Sequence, residues 1–499
     1  MDARQGRYSR GLSRRHLAVL AAALVVALAA SSVACSRQPS SKTRRGLSTS
    51  ISEAAQATFS PKAAPTAGSS VGSGDAVAGR SPVGSGTKSA APGPATRTLT
   101  ASDRGVTSDS VLVGWLNIDN SNMAWGESIG FSVPSYPTAD FVEPFVKEVN
   151  ANGGVDGRKL KVEVVMFDGL SEDAKQAACV KLTEDLKVFA AIAVFGFWGD
   201  GEVCLATRET PLLTINFPSD DVLRRREKGW VRSTLMSKDR ILKNWADWAI
   251  ESGIATAKKR IGVWSEGDPE STQVTRDVLL PYLKAKGLNV VETFYFGTDY
   301  SRRPVESSSA VLKFKSANVD FVWPAGNYIT NIFFLRVAEA QDFHPEYTAS
   351  DFGYLATDPT SQSYEPNQWD RVRAMAVMRS GESAAGKPLT PAEKECLAAY
   401  QRFGGKAFKK DADRFMAMAT CEHLALWVKA ARVAGPNLTR AGFLNVLDSL
   451  GNYSERVTIS DTLSFRKGKY DAADRFAVIE WRRECTCYWQ IEGFRPGRW

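Results

Sequence analysis

Apolar and amphipathic blocks alternate along the chain from Thr107 onward. Short apolar runs predict strands, and apolar residues at helical spacing, as in 141–149, predict the helices between them. The run 189–195 is almost wholly apolar, as expected when helices cover both faces of a sheet. Because single helices separate the strands, the pattern predicts a doubly wound parallel sheet. The predicted strands are 111–116, 160–167, 189–195 and 212–215.

The same alternation restarts near residue 237 and predicts a second α/β unit of similar size. Its predicted strands are 260–264, 290–296, 320–323 and 346–349. Beyond residue 378 the pattern is mainly helical, and the chain closes with two short strands. These late helices are predicted at 392–403, 414–433 and 442–450, and the closing strands at 462–465 and 475–481.

The start of the chain has the pattern of an export signal. Basic residues ending at Arg15 precede an uninterrupted apolar run, 17–30, and small residues then lead to Cys35. The run is short for a membrane span and has the length of a signal-peptide core. The small residues resemble a bacterial lipobox, although Ser32 stands where Leu is usual. We therefore predict that residues 1–35 are a lipoprotein signal sequence and that a lipid on Cys35 anchors the protein at the outer face of the cytoplasmic membrane.

Cleavage at the small residues with Cys35 left unmodified is the alternative, and the export route, Sec or twin-arginine, stays open. Residues 36–106 consist mostly of Ala, Ser, Gly, Pro and Thr, with few large apolar side chains. Such a segment cannot bury enough apolar surface to offset the entropy lost on ordering. It is predicted to be a flexible stalk.

Composition excludes some functions. With 499 residues the chain is too long for one compact domain, and its 43% hydrophobic and 24% charged residues are typical of globular proteins. Much of the net charge of +8 comes from arginines at the two ends. No stripe of Lys and Arg interleaves with aromatic residues, so we expect no nucleic-acid partner.

Cysteine usage fits an oxidising compartment. Setting Cys35 aside leaves an even number of cysteines. The pair Cys179 and Cys204 and the pair Cys396 and Cys421 have the same sequence spacing, which would link neighbouring elements. Disulfides are predicted for both pairs.

Cys485 and Cys487 are two residues apart on a predicted strand, so their side chains would point to one face. A disulfide between them is predicted as a strained one. Zinc is the competing interpretation of the cysteines, but the chain supplies only His16, His344 and His423 as further ligands.

Several segments carry a family resemblance. Residues 105–114 form a lead-in and first strand, and 148–160 contain an Asn- and Gly-rich stretch that ends in Gly-Arg-Lys-Leu. Together with 259–263, these segments resemble the type I periplasmic solute-binding proteins of ABC transporters, in the branched-chain amino acid (leucine-binding) group. The stretch 148–160 is the most specific match. The spacing of Cys179 and Cys204 resembles a disulfide in the first lobe of that family.

The resemblance implies an α/β fold of two doubly wound parallel-sheet lobes joined by a hinge. The first lobe would hold residues 107–232 and 371–462, and the second 233–370 and 463–499. A solute would lie between the lobes at the carboxyl ends of strands, and hinge closure would bury it. No cofactor is implied.

Candidate contacts in the first lobe follow two predicted strands. The glycines of 196–201 allow a ligand to approach the backbone closely. Trp198 and Asp200 stand where the family usually has Ser or Thr, and a structural turn with a packed Trp is the alternative. Ser219 is the nearest counterpart of a Thr that binds the ligand carboxylate in the family, while the neighbouring Asp220 would repel a carboxylate.

Candidate contacts in the second lobe also come from the resemblance. Asn327 and Tyr328 resemble the loop whose aromatic residue closes over the ligand. Asp351 resembles the acidic residue that pairs with a ligand ammonium, since a buried carboxylate needs such a cation. A turn or cap role is the alternative for Asp351. Segment 264–270 is expected to reach the cleft, and the long loop 117–136 to cover one side of it.

The sequence favours binding over catalysis. It contains no P-loop and no histidines at metal-ligand spacing, and 196–201 is not a dinucleotide fingerprint. The resemblance predicts a lipoprotein that captures a small polar solute, amino-acid-like or an amide, for the permease subunits of an ABC importer. A sensor of the same fold that acts on a signalling partner is the alternative.

Overall fold

The computed structural model describes residues 99–499. The predicted signal sequence, Cys35 and most of the predicted stalk lie outside the described residues. Five parallel strands form a first sheet in the order β2-β1-β3-β4-β5. They are β1 (Ser110–Ile118), β2 (Lys159–Phe167), β3 (Ala190–Ala193), β4 (Leu212–Thr214) and β5 (Val231–Ser233).

A second parallel sheet has the order β7-β6-β8-β9, and a third, mixed sheet has the order β10-β11-β14-β15. A short antiparallel pair, β12 and β13, completes the strands of residues 99–499. The bounds are β6 (Ile261–Glu266), β7 (Val290–Phe296), β8 (Phe321–Ala325), β9 (Glu346–Tyr347), β10 (Ala349–Ser350), β11 (Arg373–Ala376), β12 (Gly451–Tyr453), β13 (Leu463–Phe465), β14 (Arg475–Arg482) and β15 (Cys487–Pro496).

Helices connect most of these strands. The α-helices of the described range are α1 (Asn120–Ser128), α2 (Thr138–Ala151), α3 (Glu172–Val180), α4 (Asp200–Thr207), α5 (Lys238–Glu251), α6 (Pro269–Val274), α7 (Leu280–Ala285), α8 (Arg303–Ser316), α9 (Tyr328–Ala340), α10 (Pro366–Trp369), α11 (Pro391–Arg402), α12 (Asp411–Ala434) and α13 (Arg440–Ser449). Wider π-helical turns occupy Lys181–Asp185, Val222–Arg226 and Thr275–Leu279. From residue 99 onward, none of the helices has the length and apolarity needed to cross a bilayer.

The first sheet is buried on both faces. Val113 and Trp115 of β1 lie in one core with Phe141 of α2 and Trp427 of α12. Leu116 lies in a separate core on the opposite face, with the side chains of α3 and α4. Because both faces are covered, the strands read as almost continuous apolar runs, as the sequence predicts.

The second and third sheets share one core. It includes Trp264 of β6 and Phe334 of α9 from the second sheet and its helices. It also includes Ala374 of β11 and Trp481 of β14 from the third sheet. One side of β14 therefore packs with the second sheet, while Phe476 and Val478 on its other side belong to the core that contains the first sheet.

The Asn- and Gly-rich stretch before β2 forms a tight structural turn. Gly154 has a φ of +63°, and a Cβ at this position would lie 2.0 Å from the Arg158 carbonyl oxygen, which excludes a larger residue. Asn150 exchanges two hydrogen bonds with the backbone of Leu160. The guanidinium of Arg158 is buried and donates to three carbonyl oxygens, including that of Thr107. The segment that carried the most specific resemblance therefore holds α2, β1 and β2 together.

Three segments cross between the first sheet and the other two: 233–237, 376–381 and 457–472. They are hydrogen-bonded side by side. The Ala472 N–H donates to the Ser233 carbonyl at 2.9 Å, and the Arg379 N–H donates to the Ile459 carbonyl at 2.6 Å. These crossing segments fix the distance between the sheets.

The predicted strands are present, with shifts of at most two residues at their ends, and the predicted strand 346–349 divides into β9 and β10. β5, β11, β12 and β15 were not predicted. β5 has three residues, and its central Arg232 is buried in an ion pair with Asp448, a burial that hydropathy does not indicate. The placement of Cys485 on a strand was wrong, because this residue lies in the turn between β14 and β15.

All three predicted disulfides are present. Cys179–Cys204 ties α3 to α4, and Cys396–Cys421 ties α11 to α12. The third bond closes the β14–β15 turn. No group of three or more His, Cys, Asp or Glu residues in the described range forms a metal site.

We predict that the Cys396→Ala/Cys421→Ala double variant loses about 3 kcal/mol of unfolding free energy, because this bond closes a long loop with a sequence separation of 25. The control is Cys485→Ala/Cys487→Ala, where the separation of 2 restricts the unfolded chain much less. Urea unfolding of the exported protein measures both. Equal losses in the two variants would contradict the prediction.

Candidate functional site

A cavity of about 500 Å³ is lined from both the first and the second sheet. Ile118, Phe195 and Asn216 reach it from the carboxyl ends of β1, β3 and β4, and Glu266 and Gly326 from those of β6 and β8. Open parallel sheets bind ligands at this edge. The volume is in the range of small-molecule sites.

Aromatic and apolar side chains form most of the cavity wall. The ring centroid of Phe195 is 5.8 Å from that of Tyr354 and 5.6 Å from that of Phe415. Phe217 lies 5.7 Å from Tyr354 and meets it edge to face. The wall also contains Ile118, Met123, Trp125, Phe131, Val133, Tyr328, Ile329, Phe352 and Met416. Such a surface binds an apolar body by removing it from water.

Two ion pairs line the side of the cavity that belongs to the first sheet. The buried Lys175 ammonium lies 2.7 Å from the Glu172 carboxylate and 4.3 Å from the ring centroid of Trp198. Asp200, the first residue of α4, pairs with Arg226 at 2.6 Å. Trp198 is 36% exposed, so its free face is open to a solute.

A polar network lines the side that belongs to the second sheet. The buried Arg303 guanidinium lies 2.6 Å from the Glu266 carboxylate and donates to Thr330 Oγ1 at 2.8 Å. Asn327 donates through Nδ2 to the Tyr300 hydroxyl at 2.7 Å, and its backbone N–H donates to Glu266 at 3.2 Å. Burial raises the pKa of Glu266 although Arg303 acts to lower it.

A fourth ion pair joins the two sides. Glu270 lies on α6, and its carboxylate accepts from the Ser219 N–H at 2.6 Å and from Lys238 at 3.1 Å. Ser219 belongs to the loop that follows β4, so this carboxylate bridges the cavity mouth. Burial acts to lower the pKa of Lys238, but Glu270 and Asp268 outweigh it and the pKa is raised.

A buried carboxyl group lies behind the aromatic wall. Glu202 is 1% exposed and accepts from Asn216 Nδ2 at 2.9 Å. The Tyr354 hydroxyl lies 3.5 Å from Asn216 Oδ1. Burial raises the pKa of Glu202 to about 8, and it raises the pKa of the neighbouring Glu227 as well. At pH 7 the Glu202 carboxyl is therefore mostly protonated.

The structure brings four predicted contact residues together at this cavity: Trp198, Asp200, Asn327 and Tyr328. Ser219 is not among the lining residues. Its hydroxyl accepts from the Val222 N–H at 3.2 Å and so begins the following helical turn.

Asp351 also lies away from the cavity wall. It is fully buried at the junction of β10 and β11, where one carboxylate oxygen accepts from the Met378 N–H at 2.5 Å. Burial raises the pKa of Asp351 to about 7. The carboxyl group therefore anchors a crossing segment, a role close to the turn or cap alternative, while the neighbouring residues Phe352–Tyr354 reach the cavity.

Sequence reasoning missed several lining residues. Glu202 follows the recognised glycine loop, but its burial depends on α4 packing against the sheet. Arg303 and Phe415 come from the start of helices with no local motif. Glu266 and Glu270 fall within the segment 264–270 that was expected to reach the cleft. Their position at or just after the carboxyl end of β6 could have identified them as lining residues from the sequence.

A family model described as periplasmic binding protein matches residues 137–483 of this chain. A curated relative is Leu/Ile/Val-binding protein homolog 7 of Brucella abortus, 24% identical over 274 residues, which are 53% of this chain. The chain spans 65% of the length of that relative.

Solved structures share the fold. A leucine-binding protein from Thermotoga maritima is 16% identical, with a TM-score of 0.57 over 77% of this chain and 98% of its own. A fatty acid ABC transporter substrate-binding protein from Thermomonospora curvata is 16% identical, with a TM-score of 0.60 over 80% and 95% of the two chains. A solute-binding protein from Rhodopseudomonas palustris, solved with 3,4-dihydroxybenzoic acid, is 13% identical, with a TM-score of 0.56 over 77% and 97%. The predicted resemblance and the two-lobe α/β fold are confirmed.

We predict that Asp351→Asn stabilises the folded chain, and increasingly so as the pH rises. The folded-state pKa of about 7 lies above the ordinary value of 3.8, so the protonated carboxyl favours folding at low pH, and that stability is lost as the pH rises through 7. Asparagine keeps the neutral form at every pH. Its advantage should grow by about 2 kcal/mol between pH 5 and pH 7.5.

Urea unfolding at the two pH values measures this difference. The control is Asp342→Asn, at an exposed position with φ of +50° that asparagine also adopts. An advantage of Asp351→Asn that is the same at both pH values would show that the carboxyl group is not kept neutral.

Proposed function

Because this chain belongs to the periplasmic binding protein family, we propose that it captures a small solute outside the cytoplasm and delivers it to the permease subunits of an ABC importer. The supporting observation is the cavity of about 500 Å³, whose walls come from both sheets and meet at the carboxyl ends of their strands. A family of binding proteins agrees with the expectation that the chain is not an enzyme.

We assign residues 107–232 and 371–462 to one lobe and residues 233–370 and 463–499 to the other. Contacts across the cavity mouth support closure around a solute. The Phe131 ring stacks on Tyr328 with centroids 4.9 Å apart, and Arg336 donates to the Ile129 carbonyl at 3.1 Å. A solute can favour the closed form only by binding it more tightly than the open form.

Trp198, Asp200, Asn327 and Tyr328 are the proposed solute contacts. The two aromatic rings would cover the apolar body of the solute, while the carboxylate and amide would accept or donate hydrogen bonds at its polar end. An amino-acid-like or amide solute fits these groups. The aromatic wall adds the requirement for a substantial apolar part.

The expected result for Trp198→Ala is a roughly 10-fold loss of affinity for the solute that co-purifies with the protein, because the ring is a large and open contact surface. Native mass spectrometry identifies the solute, and calorimetry measures its affinity. Val305→Ala, at an exposed position on α8, is the control.

Small-angle scattering should show a smaller radius of gyration when the protein is saturated with its solute. A saturated protein as extended as the empty one would reject closure, and no solute bound in any preparation would reject the proposed function.

We also propose that the lipid anchor at Cys35 holds the protein at the outer face of the cytoplasmic membrane, as the order of basic, apolar and small residues before it suggests. Cells that express the protein should incorporate labelled palmitate into the wild-type chain and not into Cys35→Ala. Cys35→Ala should be released in soluble form. Equal labelling of both chains would mean that Cys35 carries no lipid.

A further inference from the structure

The cations that line the cavity are all neutralised by the protein itself. Lys175, Arg226 and Arg303 each have a carboxylate oxygen within 2.7 Å. Lys238 lies 3.1 Å from Glu270. A solute carboxylate would therefore have to break one of these pairs or enter without a counter-ion, and an unpaired buried charge is strongly unfavourable.

The carboxyl group of Glu202 also lines the cavity, but it differs from these cations in having no partner of opposite charge in the described part of the chain. Among residues 99–499, no Lys, Arg or His forms an ion pair with it. Its side chain accepts a hydrogen bond from Asn216 Nδ2 at 2.9 Å. Glu202 is thus a buried acid at the cavity with no paired cation among the described residues.

A second buried acid, Glu227, interacts with Glu202 from outside the cavity lining. Both carboxylate oxygens of the fully buried Glu227 lack hydrogen-bond partners in the described range. Glu202 acts to raise the pKa of Glu227, and Glu270 acts in the same direction on both. A cation that enters beside Glu202 therefore meets a carboxyl group that can ionise against it, with a second acid behind it, and neither acid is paired with a Lys, Arg or His among the described residues.

The aromatic wall beside Glu202 suits the same charge. Tyr354 contacts Asn216, the hydrogen-bond donor to Glu202, and it packs against Phe195 and Phe217. Ring faces attract cations, and more strongly where water is excluded. The same rings offer apolar surface to the rest of the solute.

We propose that the solute is an organic cation, a primary amine on an apolar or aromatic body without a carboxylate, and that Glu202 is its counter-ion. This inference rests on the proposed function and narrows its solute class. An amine replaces the amino-acid-like solute, because the lining cations are already paired and none is left to bind a carboxylate. On binding, the ammonium group lies against the Glu202 carboxylate, and the proton that Glu202 carried passes to solvent.

This proton gives the binding a defined pH dependence. The pKa of Glu202 is about 8, raised by burial and by Glu270 and lowered in part by Asn216 and Lys238. Amine affinity should therefore increase about tenfold per pH unit between pH 6 and pH 7.5 and level off above pH 8. At pH 7 close to one proton should be released per amine bound, because the bound cation lowers the pKa of Glu202.

The experiment compares three probes with one phenyl body: 2-phenylethylamine, phenylalanine and 3-phenylpropanoate. Calorimetry of the exported protein at pH 7, in phosphate and in Tris, gives affinity and protons released. We expect 2-phenylethylamine to bind at least 10-fold more tightly than phenylalanine, and 3-phenylpropanoate to bind most weakly.

Glu202→Gln should lose at least about 100-fold in amine affinity, together with the proton release and the pH dependence. Glutamine can still accept from Asn216, so the fold is expected to persist. Glu143→Gln, an exposed residue of α2, is the matched control and should change affinity less than 2-fold.

Two results would overturn the inference. One is an affinity for 3-phenylpropanoate equal to or above that for the amine, and the other is an unchanged amine affinity in Glu202→Gln. Failure of all three probes to bind would overturn it as well. None of these results touches the proposed function, which depends on whether any solute co-purifies and compacts the protein.

Discussion

Buried carboxyl groups hold the segments that cross between the first sheet and the other two. Asp351 accepts the Met378 N–H, and Glu422 accepts the N–H groups of Thr458 and Ile459 at 2.7 Å each. Asp471 accepts the Ser237 N–H at 2.9 Å. Strands that cross alone through an interior lack sheet partners on every side, and buried N–H groups without acceptors are costly. Carboxyl oxygens provide these acceptors and so fix where the two sides of the cavity stand.

Two of these anchors lack a cation and depend on protonation. Burial raises the pKa of Asp351 and of Glu422 to about 7, and each keeps one oxygen without a partner. Asp471 differs, because it also pairs with Arg240 at the edge of the crossing region. The crossing region therefore combines a charged, permanently paired anchor with two anchors that are neutral below neutral pH. Such an arrangement favours a rigid connection in acid and a less stable one in alkali.

The overall architecture could be predicted from the sequence because it follows from local patterns of apolar and polar residues. Apolar runs with helices between them predicted both parallel sheets, and Ser171 and Thr439 cap the helices that follow them. Ser237 stands at the start of α5, but its hydroxyl makes no cap, and its own backbone N–H donates to Asp471 of a distant segment at 2.9 Å. β5 and β15 were missed because hydropathy does not mark them. β5 has three residues with the buried Arg232 at its centre, and β15 mixes Gln490, Glu492 and Arg495 with its apolar side chains.

The candidate site was predicted only in part, because contacts between distant segments of the chain decide the role of several of its residues. Trp198, Asp200, Asn327 and Tyr328 follow strands directly, so strand ends located them. The sequence, however, does not show whether a carboxylate faces a backbone amide, a guanidinium or a cavity. Asp351 was expected to face a solute, yet it faces a crossing segment. Surroundings decide the role of an acidic residue, and packing of the whole chain sets those surroundings.

The buried acids have different partners, and this difference also explains how the cavity can discriminate between solutes. Glu266 and Glu270 neutralise Arg303 and Lys238, which removes the groups that would otherwise attract any anion. The aromatic wall binds apolar bodies with little preference for their identity, because apolar burial is not directional. Selectivity then depends on the charges left unpaired, since a buried charge without a partner costs far more than a mismatched apolar contact. Glu202 is a lining acid without a paired cation among the described residues, and its carboxyl group can ionise when a solute brings positive charge to it. It can therefore influence which solutes are retained.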